Sequence, residues 1–199
     1  MSSDYINSLS IIRFQGQIIV INQTDQTNGL FSRLRQEKYI GFDTESRPSF
    51  SKGISYSPSI IQLATQDAVY LFQLEKTRLF DELVDFFSDQ NIKKIGIGTK
   101  NDIEKLQEIR KFQARGFIDL SKIAAQKGII QVGARALTAR YLEQRLTKTA
   151  QKSNWARAQL TQKQKEYAAT DAWICLQIYP LLLSDQIDYS QFEPASANH

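Results

Sequence analysis

The chain is poor in the residues that build disulfides, zinc sites and imidazole chemistry. Its 199 residues include one cysteine, Cys175, and one histidine, His199. A single thiol forms no internal disulfide, which points to a reducing compartment. His199 lies in a polar end, DQIDYSQFEPASANH, without apolar period, and is not read as catalytic. No run approaches the roughly 18 uninterrupted apolar residues of a membrane helix, so no membrane association is expected. The start, MSSDYINSLS, lacks a basic stretch leading into an apolar one. A cytoplasmic chain without secretory signal is the expectation. No Pro/Gly/Ser-rich linker divides the sequence, and its length suits one domain. We expect a flexible N-terminus over 1–8, the domain over 9–184 and a flexible tail over 185–199. Hydrophobic residues at 42% and charged residues at 23% exclude a collagen-like, coiled-coil or wholly disordered chain.

What is present is alternation of strand and helix patterns. Ile18–Ile21 reads as a strand and Thr27–Glu37 as a helix. Lys38–Glu45, KYIGFDTE, reads as a buried strand ending in two acids. Ser59–Thr65 and Ala68–Leu74 are strands joined at Gln66-Asp67, a joint short enough to demand an antiparallel hairpin. Thr77–Ser88 has helical spacing of Leu79, Leu83, Phe86 and Phe87. Lys94–Gly98 reads as a strand, and Asn101–Phe112 as a helix capped by Asn101 with Glu104 closing a capping box. Phe117–Leu120 is a short strand, and helices fill much of 121–184. The last helix opens on a T-x-x-Q capping box, Thr161 and Gln164, and runs about five turns to Tyr179, where Pro180 ends or kinks it. This order indicates an α/β domain with a mixed sheet.

Acidic residues stand where a folded chain rarely leaves them bare. Asp43 and Glu45, two apart on a strand, project from one face. Like charges on a buried strand repel and are poorly hydrated, a cost that a divalent cation removes. Read alone, the pair also fits two acids in water just past a strand end. Asp102 follows the strand KIGIG and opens a helix, beyond the carboxyl end of a strand, where ligands gather in α/β sheets. A first-turn acid favoured by the helix dipole is the plainer reading. Tyr167 and Asp171, four apart, share a helix face continued by Ile174 and Ile178. That puts Asp171 toward the core, unless it pairs with Lys163 or Lys165 at the surface. Oxygen ligands without His or Cys suit Mg²⁺ or Mn²⁺ and not zinc.

Net charge is +4, from 25 basic and 21 acidic residues. Between Arg135 and Lys165 stand eight bases: Arg135, Arg140, Arg145, Lys148, Lys152, Arg157, Lys163 and Lys165, with Glu143 the single acid. The segment is either a solvated helical face or a footprint for a polyanion such as nucleic acid. Acids that collect cations beside such a footprint suggest metal-assisted phosphoryl transfer on nucleic acid. A nucleic-acid-binding module without catalysis, and a phosphatase acting on small substrates, are the competing readings.

Three motifs in order carry a family resemblance: FDTE (Phe42 to Glu45), KIGIGTKNDIEKL with Asp102, and LTQKQKEYAATDAW (Leu160 to Trp173), preceded by KSNWARA. The strands SIIQLAT and AVYLF fall between the first two. The chain resembles the DEDD 3′–5′ exonucleases of the DnaQ-like, ribonuclease H-like superfamily, over roughly residues 15–183. It is most similar to the Werner-type exonuclease and ribonuclease D group, and Y-x-x-x-D marks the tyrosine subclass. The resemblance implies a ribonuclease H-like, five-stranded mixed sheet flanked by helices. It implies metal binding by Asp43, Glu45, Asp102 and Asp171, water positioning by Tyr167, and two Mg²⁺ or Mn²⁺ ions per site. It further implies release of nucleoside 5′-monophosphates from the 3′ end of DNA or RNA. Thr44 is then expected to bring its backbone to the terminal nucleotide. Leu63 is expected either as an apolar wall or as core. Trp155 is expected to stack on a base or to fill the core, and Lys148, Lys152 and Arg157 to contact phosphates. The chain departs from the Werner-type pattern after Glu45, with Ser46-Arg47-Pro48 where an aromatic residue is frequent. It also lacks a helicase part and the extra helical domains of ribonuclease D, so a helicase or other nucleic-acid-processing partner is expected.

Overall fold

A computed structural model describes residues 1–49, 53 and 55–185. Expectations for the tail beyond 185, His199 included, lie outside the described residues. Six strands, β1 (Gln17–Ile21), β2 (Tyr39–Glu45), β3 (Ile60–Ala64), β4 (Ala68–Gln73), β5 (Lys93–Gly96) and β6 (Phe117–Asp119), form one mixed sheet in the order β1-β4-β3-β2-β5-β6. β2, β3 and β4 pair antiparallel, and β1/β4, β2/β5 and β5/β6 pair parallel. The resemblance implies five strands. The sixth arises because Gln17–Ile21 lies in register along Ala68–Phe72 and occupies what would be the free edge of β4. Unpaired edges invite association with other chains, and β1 covers this one.

Eight helices accompany the sheet: α1 (Ser3–Ser8), α2 (Leu30–Leu34), α3 (Leu74–Thr77), α4 (Asp81–Ser88), α5 (Lys100–Ile109), α6 (Leu120–Gln126), α7 (Ala134–Leu142) and α8 (Gln162–Ser184). The alternation of side chains along the strands divides the core in two. On one face Ile60, Ala64, Val69 and Leu71 pack with Trp155 and the α8 residues Ala168, Ala172 and Ile178. On the other, Ile40, Phe42, Ile61, Leu63 and Phe72 meet Leu83, Phe86 and Phe87 of α4 and Leu106 of α5. Each such side chain, fully buried, contributes about 1.5–3 kcal/mol. Among the described residues no helix is long and apolar enough to cross a membrane.

Several boundaries differ from the sequence reading, for tertiary reasons. Ser2 caps α1 through the Tyr5 amide, Ile6 is buried, and Arg135 donates to Asn7 Oδ1 at 2.6 Å. The helix expected over Thr27–Glu37 is split by Gly29, whose φ of 71° suits glycine, and α2 begins after it. α5 starts at Lys100 without a side-chain cap, and Glu104 pairs with Lys100 and closes no capping box. The amides of Gly98 and Thr99 are instead satisfied by the Asp119 carboxylate at the end of β6, at 2.8 and 3.1 Å. α8 opens on the expected Thr161–Gln164 capping box but passes through Pro180 to Ser184, because Leu182 still finds the core.

Candidate active site

The site forms where β2 ends against the N-terminal half of α8. Gly41, Asp43 and Glu45 alternate onto the α8 face of the sheet. Gly41 sets the approach, since a Cβ there would overlap the Ala172 carbonyl. With the helix this close, Asp171, the residue before Ala172, comes beside Asp43. Asp43, Glu45 and Asp171 offer carboxylate oxygens that all lie within 4.8 Å of one another. None of the three makes an ion pair among the described residues. All three carboxyls are therefore pushed up from the ordinary range, Asp43 and Glu45 by burial first and then by their acidic neighbours, and Asp171 by burial. Three half-buried carboxylates without a cationic side chain are a donor set that fits a divalent cation of the Mg²⁺ or Mn²⁺ kind.

Tyr167 stands one turn before Asp171 on α8, and the two side chains influence each other's protonation. Burial, Asp171 and Glu45 together drive the phenol above its ordinary value. A phenol displaced in this direction favours its protonated form, which is suited to donating a hydrogen bond.

Asp102 stands apart from the convergent three. It reaches the end of β2 from α5, on the opposite sheet face, and accepts a 2.7 Å hydrogen bond from the Thr44 hydroxyl. Burial raises its pKa and the Thr44 bond opposes that rise. Its charge is still felt at Asp43. Thr44 thus acts through its side chain, pinning an acid.

Leu63 and Trp155 are placed in the core. Leu63 lies in register with Phe42, so it points away from the acids, and it is fully buried. It is no wall of this site. Trp155 is 1% exposed, with its ring 6.0 Å from that of Tyr167. It supports the tyrosine from behind, and no face is open for a base to stack on. Lys148, Lys152 and Arg157 are exposed, as a phosphate contact requires. Of the remaining bases, Arg135 and Arg145 are bound to the N-terminal segment, Arg145 through the Leu9 carbonyl, and Arg140 pairs with Asp185. The polyanion footprint is correspondingly smaller than the sequence segment suggests. Past Glu45, the Arg47 guanidinium lies 3.6 Å over the Tyr56 ring.

Gln62 gains weight from the structure. It is the register partner of Asp43 on β3 and shares its face. Its side chain is fully buried, and neither amide atom has a hydrogen-bond partner among the described residues. An unpaired buried amide costs about 1–3 kcal/mol, a cost retained next to the acids.

Comparison with known proteins follows the same outline. Residues 18–186 match the family model described as 3′-5′ exonuclease. The bifunctional 3′-5′ exonuclease/ATP-dependent helicase WRN of Mus musculus is 29% identical over 186 residues, covering 88% of this chain and 13% of the mouse protein. Among solved structures, the EXO domain of Aedes aegypti Nibbler superposes with a TM-score of 0.74 at 23% identity, covering 89% of this chain and 90% of that one. Escherichia coli RNase D, an exoribonuclease involved in structured RNA processing, superposes with a TM-score of 0.74 at 25% identity, covering 91% and 47%. The chain thus spans a small part of the mouse protein and about half of the bacterial one.

Proposed function

The chain belongs to the 3′–5′ exonuclease family, and from that premise we propose that it removes nucleoside 5′-monophosphates one at a time from the 3′ end of DNA or RNA. The observation that carries this reading is the meeting of Asp43, Glu45 and Asp171 within 4.8 Å with no ion-pair partner among the described residues. In this proposal Asp43, Glu45 and Asp171 would hold the two Mg²⁺ or Mn²⁺ ions, and Asp102 would lend its charge in support. Such ions, when bound, supply Lewis acidity for the attacking water and for the leaving 3′ oxygen. The remaining work falls to the chain. Thr44 keeps Asp102 aimed at the strand end, and Tyr167 turns its hydroxyl toward the attacking water. Lys148, Lys152 and Arg157 contact phosphates. A helicase or other nucleic-acid-processing partner would deliver the strand.

The direct test is digestion of matched DNA and RNA strands, single and duplex, labelled at either end, with Mn²⁺ present. Stepwise release of mononucleotides from the 3′ end is expected. Cleavage confined to free mononucleotides would establish a phosphatase, and binding without product would establish a non-catalytic module.

Two substitutions probe the supporting groups. Tyr167→Phe should lower kcat by about 10- to 100-fold, the range for groups acting behind metal ligands. Its melting temperature should barely move. An unchanged kcat removes the water-positioning role. For Gln62, we propose that the amide, unpaired among the described residues, turns to hydrogen-bond its register neighbour Asp43 in the working site. Gln62→Leu should then leave stability unchanged or raise it by about 1 kcal/mol, since an unpaired amide is replaced by an apolar group of like size. The same variant should lose about 10-fold in kcat. Urea midpoints and single-turnover rates separate the outcomes, and a destabilised variant with normal rate would mark Gln62 as packing alone.

A further inference from the structure

A cleft of about 280 Å³ opens beside Tyr167 and Asp171 and continues along α8 past Glu166 to Lys163. Its opposite wall comes from two distant stretches, the segment before β1, with Ile12 and Arg13, and the stretch after α7, with Leu146, Thr147 and Thr149. That wall is held in place by backbone bonds. The Ile12 amide donates to the Arg145 carbonyl at 3.0 Å, and the Arg145 amide to Ser10 at 2.9 Å. The Phe14 amide donates to the Thr170 hydroxyl at 3.1 Å. Ile12 and Phe14 are both buried, so Arg13 is clamped on either side while its own side chain is exposed.

Resting on the nuclease reading above, we propose that this cleft binds the phosphodiester immediately upstream of the scissile one. Arg13 and Lys163 supply the charge and Thr147 a hydroxyl donor. Neither cation makes an ion pair among the described residues. The Thr149 hydroxyl donates to that of Thr147 at 3.0 Å, which leaves the Thr147 proton free for a ligand oxygen. The Thr170 hydroxyl is already spent on the Glu166 carbonyl and the Phe14 amide. Ile12 and Leu146 give the cleft an apolar side suited to a sugar.

The charge pattern chooses between the two nucleotides that flank the scissile bond. The departing nucleoside carries no phosphate except the one under attack, which belongs among the acids. Beyond Tyr167 the cleft carries Arg13 and Lys163 against one acid, Glu166, which accepts a 3.0 Å hydrogen bond from the Gln162 amide, and the two cations match the next phosphate of the chain. Lys163 lies one helical turn from Tyr167, about 6 Å along the axis. The volume, at the low end for small-molecule pockets, suits one nucleotide unit.

The test compares a dinucleotide, whose single phosphodiester is the scissile one, with a trinucleotide, which adds the upstream linkage. In Arg13→Gln/Lys163→Gln, the ratio of kcat/KM for trinucleotide over dinucleotide should fall about tenfold, mainly through KM. The salt dependence of binding should flatten by about one in slope. A neutral methylphosphonate at the upstream linkage should cause the same loss in the unaltered protein and no further loss in the double variant. An unchanged ratio would overturn the assignment. Anisotropy of a labelled oligonucleotide in EDTA reads the cleft without turnover. Weaker binding by the double variant supports the cleft even if the unaltered protein cleaves nothing, an outcome that would sink the nuclease reading by itself. Equal binding by both proteins overturns the cleft.

Discussion

Asp171→Asn should abolish hydrolysis and at the same time raise the melting temperature of the metal-free protein. The two effects share a cause. Asp171, Asp43 and Glu45 are held together by the packing of α8 onto β2, with no cationic partner to offset their repulsion and desolvation. Removing one charge relieves that cost, while Asn can hydrogen-bond Tyr167. We expect a gain of about 1–2 kcal/mol near neutral pH, since each unit of pKa displacement corresponds to about 1.4 kcal/mol. For a chain of this length that is roughly 2–8 °C in melting temperature. Turnover should fall by about 10³-fold or more, equivalent to about 4 kcal/mol of transition-state stabilisation. Asp43→Ala should lose turnover equally while keeping some strand binding, because the exposed bases remain. Thermal melts in EDTA and a 3′-label release assay give both readings. A destabilised Asp171→Asn protein that still hydrolyses would contradict the assignment of this cluster.

Divalent cations should stabilise the protein strongly at pH 8 and weakly at pH 5. The folded carboxyls have raised affinities for protons, that of Asp171 titrating near about 7 against 3.8 unperturbed. Between about pH 4 and 7 the folded state holds protons that the unfolded chain has released. The contribution of Asp171 to stability is therefore present below about pH 4 and lost as pH rises through about 7. A bound cation replaces those protons. At a hundred times its Kd it adds about 2.7 kcal/mol, or roughly 5–10 °C. The difference in melting temperature between Asp171→Asn and the unaltered protein, both in EDTA, should widen from pH 5 to pH 8 and vanish with Mn²⁺. Comparing the two proteins cancels every titrating group outside the three acids. A difference that narrows with rising pH would show that the three acids are not mutually strained.

Much of this site is legible in the sequence because its parts obey local periods. Asp43 and Glu45 are two apart on a strand, so one face receives both. Tyr167 and Asp171 are four apart on a helix with a readable capping box, so they stack. The misread elements depend on partners far along the chain. Asn101 looks like a cap until Asp119 is found satisfying the amides of Gly98 and Thr99. Leu63 looks eligible for the site until its pairing with Phe42 turns it to the other face. Trp155 looks like a stacking platform until α8 covers it.

By itself the sequence determined the fold class, the order of elements and which acids and tyrosine are the candidates for the site, since residue type and short-range period are local properties. Tertiary structure alone decided that three acids converge while Asp102 is held aside by Thr44, that Gln62 is sealed beside Asp43 without a partner, and that Arg13 faces Lys163 across a cleft. Those relations join residues up to 150 positions apart in the chain. They follow from strand register and from how closely a helix can approach a glycine, which no local pattern encodes.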